Sequence, residues 1–155
     1  MTIFTATEGL EMAMEIEKSG EAFYNEIAAN SADSELKALF ESLALQEQGH
    51  HQVFQHMLGN VKPALGQPVI ELDQYETYLK VALENALFAG PDKALSLAKE
   101  AGDRETALRA AMGFEKDTLL FFYDLRDMVS EVDQGAITKI IIEEKQHIRR
   151  LMEML

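Results

Sequence analysis

The sequence of 155 residues contains no cysteine and only three prolines. Without cysteine these residues can form no disulfide bond, iron–sulfur cluster, thiolate nucleophile or cysteine-ligated zinc site. Any metal ion must therefore be bound by carboxylates, imidazoles or carbonyl oxygens. The scarcity of proline leaves long stretches of the chain free to form uninterrupted helices.

Basic residues are also scarce, because 14 lysines and arginines face 27 acidic residues and give a formal net charge of -13. Such a surface repels nucleic acids and anionic membranes and attracts cations. No apolar run approaches the ~18 residues that a membrane span needs, and the first residues lack the pattern of a secretory signal. We therefore expect a cytoplasmic protein with no nucleic-acid partner and no membrane association.

The apolar residues follow a helical period nearly throughout, and no segment shows the alternation of a β-strand. A capping box, Thr5 to Glu8, precedes the first long helix. Three further long helices are predicted from the same period and from their end signals. The four predicted ranges are about 7–29, 34–58, 103–129 and, beginning between Ser130 and Asp133, the segment that runs to the C-terminus.

A long connection, residues 60–102, joins the two pairs of predicted helices. It contains two predicted short helices, one from the capping box at Asp73 to about Ala89 and one from Pro91 to about Gly102. Short links form antiparallel hairpins, and a long link lets two hairpins cross into one bundle. The sequence predicts a single all-α domain over 1–155, a four-helix bundle of two antiparallel helical hairpins joined by this crossover.

Polar side chains interrupt the apolar stripe of every long helix near its middle. Each helix has one glutamate there, and the second and fourth helices add a histidine one turn later, in the spacing Glu-x-x-His. The stripe of the fourth helix then continues to Met152 and Leu155. The six polar residues are Glu17, Glu47, His50, Glu115, Glu144 and His147.

The two halves of the chain repeat this pattern. The segment "IEKSGEAFY" (16–24) resembles "FEKDTLLFF" (114–122). The separation from Glu17 to Glu47 is 47 − 17 = 30 residues, and that from Glu115 to Glu144 is 144 − 115 = 29. Two such hairpins related by a near two-fold axis would bring all six polar groups to one level of the bundle.

Four carboxylates in a dry core would be costly, since each unpaired charge costs several kcal/mol and the charges repel one another. Two divalent cations balance four carboxylates, and two neutral imidazoles complete the ligand set. The sequence therefore predicts a dinuclear metal site, with a metal-free buried polar network as the alternative. His51 and His56 lie off the stripe and are predicted to be surface residues, whereas Tyr24 either hydrogen-bonds a ligand carboxylate or simply packs.

At these positions the chain resembles the rubrerythrin-like branch of the ferritin-like superfamily. The resemblance is carried by Glu17 and Tyr24 in the spacing E-x6-Y, by "ALFESLALQEQGHH", by Glu115 and by "EEKQH". It implies a ferritin-like fold that binds two iron ions. It further implies bridging ligands Glu47 and Glu144, terminal ligands Glu17 and Glu115, and one histidine, His50 or His147, on each iron.

Two features depart from that family. Rubrerythrins proper carry a cysteine-ligated rubredoxin module, and this sequence has no cysteine. Peroxide-reducing members have a further glutamate one turn after the third-helix ligand, where this chain has Thr118. Glu21 and Glu143 are spare acids that could partly substitute for that glutamate.

The predicted function is that of a di-iron oxidoreductase or ferroxidase that reacts diferrous iron with O2 or peroxide and needs an external electron donor. No catalytic residue is predicted beyond the six ligands. One alternative is a metal-binding or iron-handling structural protein without turnover, with zinc or manganese in the site. Another is a hydroxylase of an organic substrate, which would need an apolar pocket beside the metals. The resemblance also implies a homodimer.

Overall fold

The computed structural model describes residues 3–61, 70–71 and 89–155, and its side chains are described for 5–61 and 89–155. These ranges contain five helices and two very short strands. In chain order the elements are β1 (Ile3–Phe4), α1 (Ala6–Asn30), α2 (Ser34–Asn60), β2 (Ile70–Glu71), α3 (Pro91–Glu100), α4 (Arg104–Met128) and α5 (Glu131–Glu153).

Three of the four long helices, α1, α2 and α4, begin at side chains that accept hydrogen bonds from the free N–H groups of the first turn. Thr5 and Glu8 form the predicted capping box of α1. Asp33 accepts from two backbone N–H groups at the start of α2, at 3.0 and 3.2 Å. Asp103 accepts from the N–H of Thr106 at the start of α4. These caps set the ends of the helices and hence the level at which their inward side chains lie.

The packing follows the predicted hairpins. α1 packs mainly on α2, and α4 packs mainly on α5, because only residues 31–33 and 129–130 separate the members of each pair. The two hairpins meet through α1 with α4 and α2 with α5, and α3 lies against α1. The core between them is apolar and rich in phenylalanine, with Phe23, Phe40, Phe114, Phe121 and Phe122 at 0–1% exposure. The predicted all-α fold is confirmed.

The helix ends agree with the predicted ones to within about two residues, and the helix predicted from Pro91 is present. The helix predicted from Asp73 to about Ala89 lies mostly outside the described residues. That 1–155 forms a single domain stays a prediction. In the part of the chain that the structure describes, no helix is long and apolar enough to cross a membrane.

Two details differ from the sequence prediction. Ile3 pairs with Glu71 and Phe4 with Ile70 in an antiparallel ladder; strands of two residues are too short to show a period of two. Met152 and Leu155 are 62% and 54% exposed. They lie at and beyond the last turn of α5, where the apolar period continues although the side chains face solvent.

Candidate metal centre

The six polar residues that interrupt the apolar stripes are all buried, with relative exposures between 0 and 3%. α1 contributes Glu17 and α4 contributes Glu115, each from a stripe of apolar residues. α2 and α5 contribute the two Glu-x-x-His pairs, whose spacing places both side chains on one face of the helix. The structure therefore brings together all six residues that the sequence singled out.

The six side chains form two overlapping groups of four. Glu17, Glu47, His50 and Glu144 make one group, whose ligand atoms all lie within 4.8 Å of one another. The second group replaces Glu17 and His50 by Glu115 and His147 and satisfies the same distance limit. Glu47 and Glu144 belong to both groups. The arrangement thus offers two adjacent positions that share two carboxylates.

Both histidines turn Nδ1 towards these carboxylates. Nδ1 of His50 lies 3.1 Å from Glu144 Oε1, 3.5 Å from Glu47 Oε2 and 3.6 Å from Glu17 Oε2. Nδ1 of His147 lies 2.8 Å from Glu144 Oε2 and 3.3 Å from Glu47 and Glu115. The two rings stack with their centroids 5.7 Å apart and 19° between their planes.

The other ring nitrogen of each histidine points outward and is also held. Nε2 of His50 lies 2.7 Å from Glu143 Oε2, and Nε2 of His147 lies 2.6 Å from Gln46 Oε1. Because these partners are acceptor oxygens, the Nε2–H tautomer is favoured in the neutral imidazole. The lone pair of Nδ1 then faces the carboxylates and is free to bind a metal ion.

Tyr24 is buried beside the same cluster, and its hydroxyl donates a hydrogen bond to Glu115 Oε1. Burial and then the negative charge of Glu115 raise the pKa of the Tyr24 phenol well above its usual value, so the phenol keeps its proton. The ring packs edge-on against Phe114 and Phe23. Of the two predictions for Tyr24, the structure thus shows the hydrogen bond to a carboxylate of the cluster.

The pKa values of the four acids shift in two opposite directions. Burial and the charge of Glu47 raise the pKa of Glu17, and burial and the charge of Glu144 raise that of Glu115. Burial alone would also raise the pKa values of Glu47 and Glu144, but proton-bearing neighbours, His147 among them, lower both. Without metal, two of the acids are therefore protonated in preference to the other two.

The two imidazoles respond to the carboxylates around them. Burial alone would lower the pKa of each histidine, but the charge of Glu17 raises that of His50 and the charge of Glu115 raises that of His147. Each histidine is therefore protonated more readily in the metal-free cluster than in solution.

The donor set fits two divalent ions. Six of the eight carboxylate oxygens of the cluster, and Nδ1 of His50, are buried without a hydrogen-bond partner among the described residues. Buried polar atoms left unpaired are costly, and divalent cations are the partners that four carboxylates and two imidazoles accept best. Ions of this kind would be held by Glu17, Glu47, His50, Glu115, Glu144 and His147.

Four other polar residues that were considered from the sequence lie outside the two groups of four. His56 is exposed and His51 is half-buried. Glu21 is half-buried and belongs to neither group of four. Thr118 is buried, with 1% exposure, and its hydroxyl has no hydrogen-bond partner among the described residues.

A cavity of about 460 Å³ lies between α2 and α5 beside the cluster. Its lining includes His50 and the two outward partners, Gln46 and Glu143, together with the apolar Val53 and Ile140. None of the four cluster carboxylates lines it. A larger cavity, about 630 Å³, lies near the α1–α2 connection and contains none of the six residues.

Sequence reasoning missed the outward contacts of the histidines. It noted Glu143 only as a spare acid and did not single out Gln46, Ser42 or Arg150. Arg150 donates to Gln46 Oε1 at 3.3 Å and to Ser42 Oγ at 3.1 Å. The available signal was the position of Gln46 and Glu143, since each directly precedes the glutamate of a Glu-x-x-His pair.

Comparison with known proteins agrees with this geometry. One solved structure with the same fold is that of a protein from Thermotoga maritima described as ferritin-like and diiron-carboxylate. It is 24% identical, with a TM-score of 0.71 over 99% of this chain and 96% of that chain. No curated protein matches the sequence. The rubrerythrin family profile matches residues 8–155, and the chain therefore belongs to the rubrerythrin family and has the ferritin-like four-helix fold.

Proposed function

We propose that this chain is a di-iron carboxylate protein of the oxidoreductase or ferroxidase type. The observation that carries the proposal is the membership of Glu47 and Glu144 in both groups of four. Shared carboxylates suit bridging ligands, and residues found in one group only suit terminal ligands. Glu17 and His50 would thus hold one iron, and Glu115 and His147 would hold the other.

The protein's own groups prepare these positions. The outward hydrogen bonds at Nε2 of His50 and His147 fix both rings with Nδ1 towards the cluster, so little ordering remains when a metal binds. The six cluster residues are almost fully buried, which strengthens every electrostatic interaction in the cluster. The Tyr24 hydroxyl orients Glu115 and keeps a proton one hydrogen bond away from the cluster.

Two ferrous ions held by these ligands would supply the electrons that reduce O2 or peroxide and become ferric. Carboxylates suit that change because hard oxygen ligands stabilise the more highly charged ion. Turnover then needs an external electron donor, since these 155 residues contain no cysteine for an iron–sulfur centre of their own. Membership of the rubrerythrin family supports redox partners in general.

The alternative functions require different structural features of the site. A metal-binding protein without turnover, with iron, zinc or manganese, would use the same six ligands, because such donors do not select iron by affinity alone. A hydroxylase needs an apolar pocket that opens on the metal-facing atoms. The cavity between α2 and α5 is instead lined by His50 and its outward partner Glu143 and by none of the four cluster carboxylates. The cavity therefore gives no support to the hydroxylase, and the iron-oxidation test below separates the other two functions.

The test is anaerobic loading with ferrous iron followed by air or peroxide. We expect two irons per chain after desalting and an absorption change faster than the oxidation of free iron. Glu144→Ala removes a shared carboxylate and is expected to lose both irons, whereas Glu131→Gln, an exposed acid of the same helix, should bind two.

The outcomes separate the alternatives. Two bound irons without accelerated oxidation would support a protein without turnover and contradict the ferroxidase function. Retention of two irons by Glu144→Ala would contradict the assignment of the ligands. Elemental analysis of protein purified from a medium with iron, zinc and manganese present together would identify the metal that the site retains.

Three further features belong to the same proposal. A homodimer, a cytoplasmic location and a single domain over 1–155 remain predictions from the sequence. Sedimentation of the metal-loaded chain would measure the first, and limited proteolysis followed by mass spectrometry would measure the last.

A further inference from the structure

The two halves of the centre have matching ligands but different groups behind their histidines. Gln46 directly precedes Glu47, and Glu143 directly precedes Glu144, so the two residues occupy equivalent positions in the two hairpins. Each reaches across to the histidine of the opposite hairpin. We call Glu143 and Gln46 the outer partners of His50 and His147. One outer partner is an acid and the other is its amide.

The outer partner of His50 carries a negative charge. Glu143 Oε2 lies 2.7 Å from Nε2 of His50, and the Glu143 side chain is 47% exposed. A half-exposed carboxylate at that distance accepts a charge-assisted hydrogen bond from the imidazole N–H. Such a bond increases the electron density that Nδ1 offers to a metal ion.

The outer partner of His147 is neutral, and a cation lies behind it. Gln46 Oε1 lies 2.6 Å from Nε2 of His147 and also accepts from Nη1 of Arg150 at 3.3 Å. Nη2 of Arg150 is held by Ser42 at 3.1 Å. The amide oxygen is therefore shared between two donors, and the guanidinium charge opposes a second positive charge at the nearby metal position.

We propose that the two metal positions are unequal, and that the position beside His50 and Glu17 binds a divalent cation more tightly than the position beside His147 and Glu115. Glu143 is the positioning residue responsible, because it is the anionic one of the two outer partners, whereas Gln46 is neutral. This inference rests on the proposed function, since it assumes that the six residues bind two metal ions. It predicts which of the two positions binds a metal ion first, which two matching sets of ligands would not determine.

The test locates the first cation to bind. Metal-free chain is given one equivalent of Mn²⁺, and anomalous scattering from crystals measures the occupancy of each position. Stepwise binding constants from calorimetry accompany it but do not decide, because repulsion between two cations separates the constants even in a symmetric site. The wild type is expected to hold most of the first Mn²⁺ beside His50.

Three variants connect that preference with the outer partners. Glu143→Gln makes both outer partners amides and is expected to weaken the His50 position about 10- to 100-fold, the usual effect of losing such a hydrogen bond to a ligand. Gln46→Glu should strengthen the His147 position and reduce the preference. Glu131→Gln removes the same charge from an exposed position of α5 and should leave the preference unchanged.

Each failure has its own meaning. Equal occupancy in the wild type, or a preference for the His147 position, would overturn the inference while leaving a two-metal centre intact. A preference unchanged in Glu143→Gln would do the same. A chain that binds no Mn²⁺ and no Fe²⁺ at these six residues would overturn the proposed function and the inference with it.

Discussion

Binding of two divalent cations should release about two to four protons at pH 7.5. The raised pKa values of Glu17 and Glu115 favour protonation of these two acids in the metal-free cluster. The lowered pKa values of Glu47 and Glu144 predict two carboxylates. The raised pKa values of His50 and His147 favour two protonated imidazoles, which would balance the charges of those two carboxylates.

The metal-bound cluster reaches the same neutrality by another route. Four carboxylates and two neutral imidazoles carry a charge of about −4, which two divalent cations cancel. Two protons leave from protonated His50 and His147, and up to about two more leave from whichever of Glu17 and Glu115 are protonated. Six solvated side chains with ordinary pKa values would release only about 0.2 proton at pH 7.5, about 0.1 from each histidine. The difference is large enough to measure directly.

Calorimetric titration with Mn²⁺ measures this number. The observed heat depends linearly on the ionisation enthalpy of the buffer, and the slope gives the protons released per chain. The stability of the metal-free chain provides an independent check, measured by urea unfolding in the presence of a chelator. A release of one proton or fewer, with two Mn²⁺ bound, would refute the reasoning.

The sign of the pH dependence follows from the direction of each shift. The pKa values of Glu17, Glu115 and both histidines are higher in the folded than in the unfolded chain, where they are about 4.3 for the acids and 6.5 for the histidines. Each of these groups therefore stabilises the metal-free fold fully at a pH below its unfolded pKa. This contribution is lost as the pH rises through the folded pKa. The lowered pKa values of Glu47 and Glu144 change the stability only below about pH 4.5. The free energy of unfolding of the metal-free chain should therefore decrease as the pH rises from 5.5 to 8.

Three substitutions test other parts of the structure by urea unfolding of the metal-free chain. Tyr24→Phe removes the donor to Glu115 and should cost about 1 kcal/mol, the value of a neutral hydrogen bond; no change would show that the bond contributes nothing. Gly20→Ala would place a methyl group 2.9 Å from a phenylalanine ring, whereas Gly113→Ala meets nothing within 4 Å, so Gly20→Ala should be less stable by about 1–3 kcal/mol. Asp33→Ala removes the cap of α2 and should cost about 1 kcal/mol, and Asp33→Asn, which keeps the cap, should cost less.

Much of the fold and all six cluster residues could be predicted because helical periodicity determines which side chains share a face. A glutamate such as Glu47 stands out once the neighbouring positions of its stripe are apolar. The spacing of three between Glu144 and His147 then places both side chains on that face. The near-equal separations in the two halves relate the hairpins to each other without any knowledge of their contacts.

The outer partners could not be predicted in the same way, because their roles depend on the register of α5 against α2. Gln46 lies on α2, whereas His147 and Arg150 lie on α5, and the contacts of Gln46 with both follow from a packing distance that periodicity does not contain. The exposure of Met152 has a similar origin, since the apolar pattern does not record where the neighbouring helices end. The local sequence pattern thus predicts which side chains share a face of a helix, whereas the contacts between helices can be read only from the tertiary structure.

The choice of ring nitrogen shows why those contacts matter for function. The Glu-x-x-His spacing places an imidazole on the core face, but either nitrogen could point inward. The outward hydrogen bonds of His50 and His147 decide between them, and both acceptors come from the opposite hairpin. Docking the two hairpins therefore both closes the apolar core and orients the two histidines with Nδ1 inward. The orientation of the ligands is in this sense a consequence of folding, present before any metal binds.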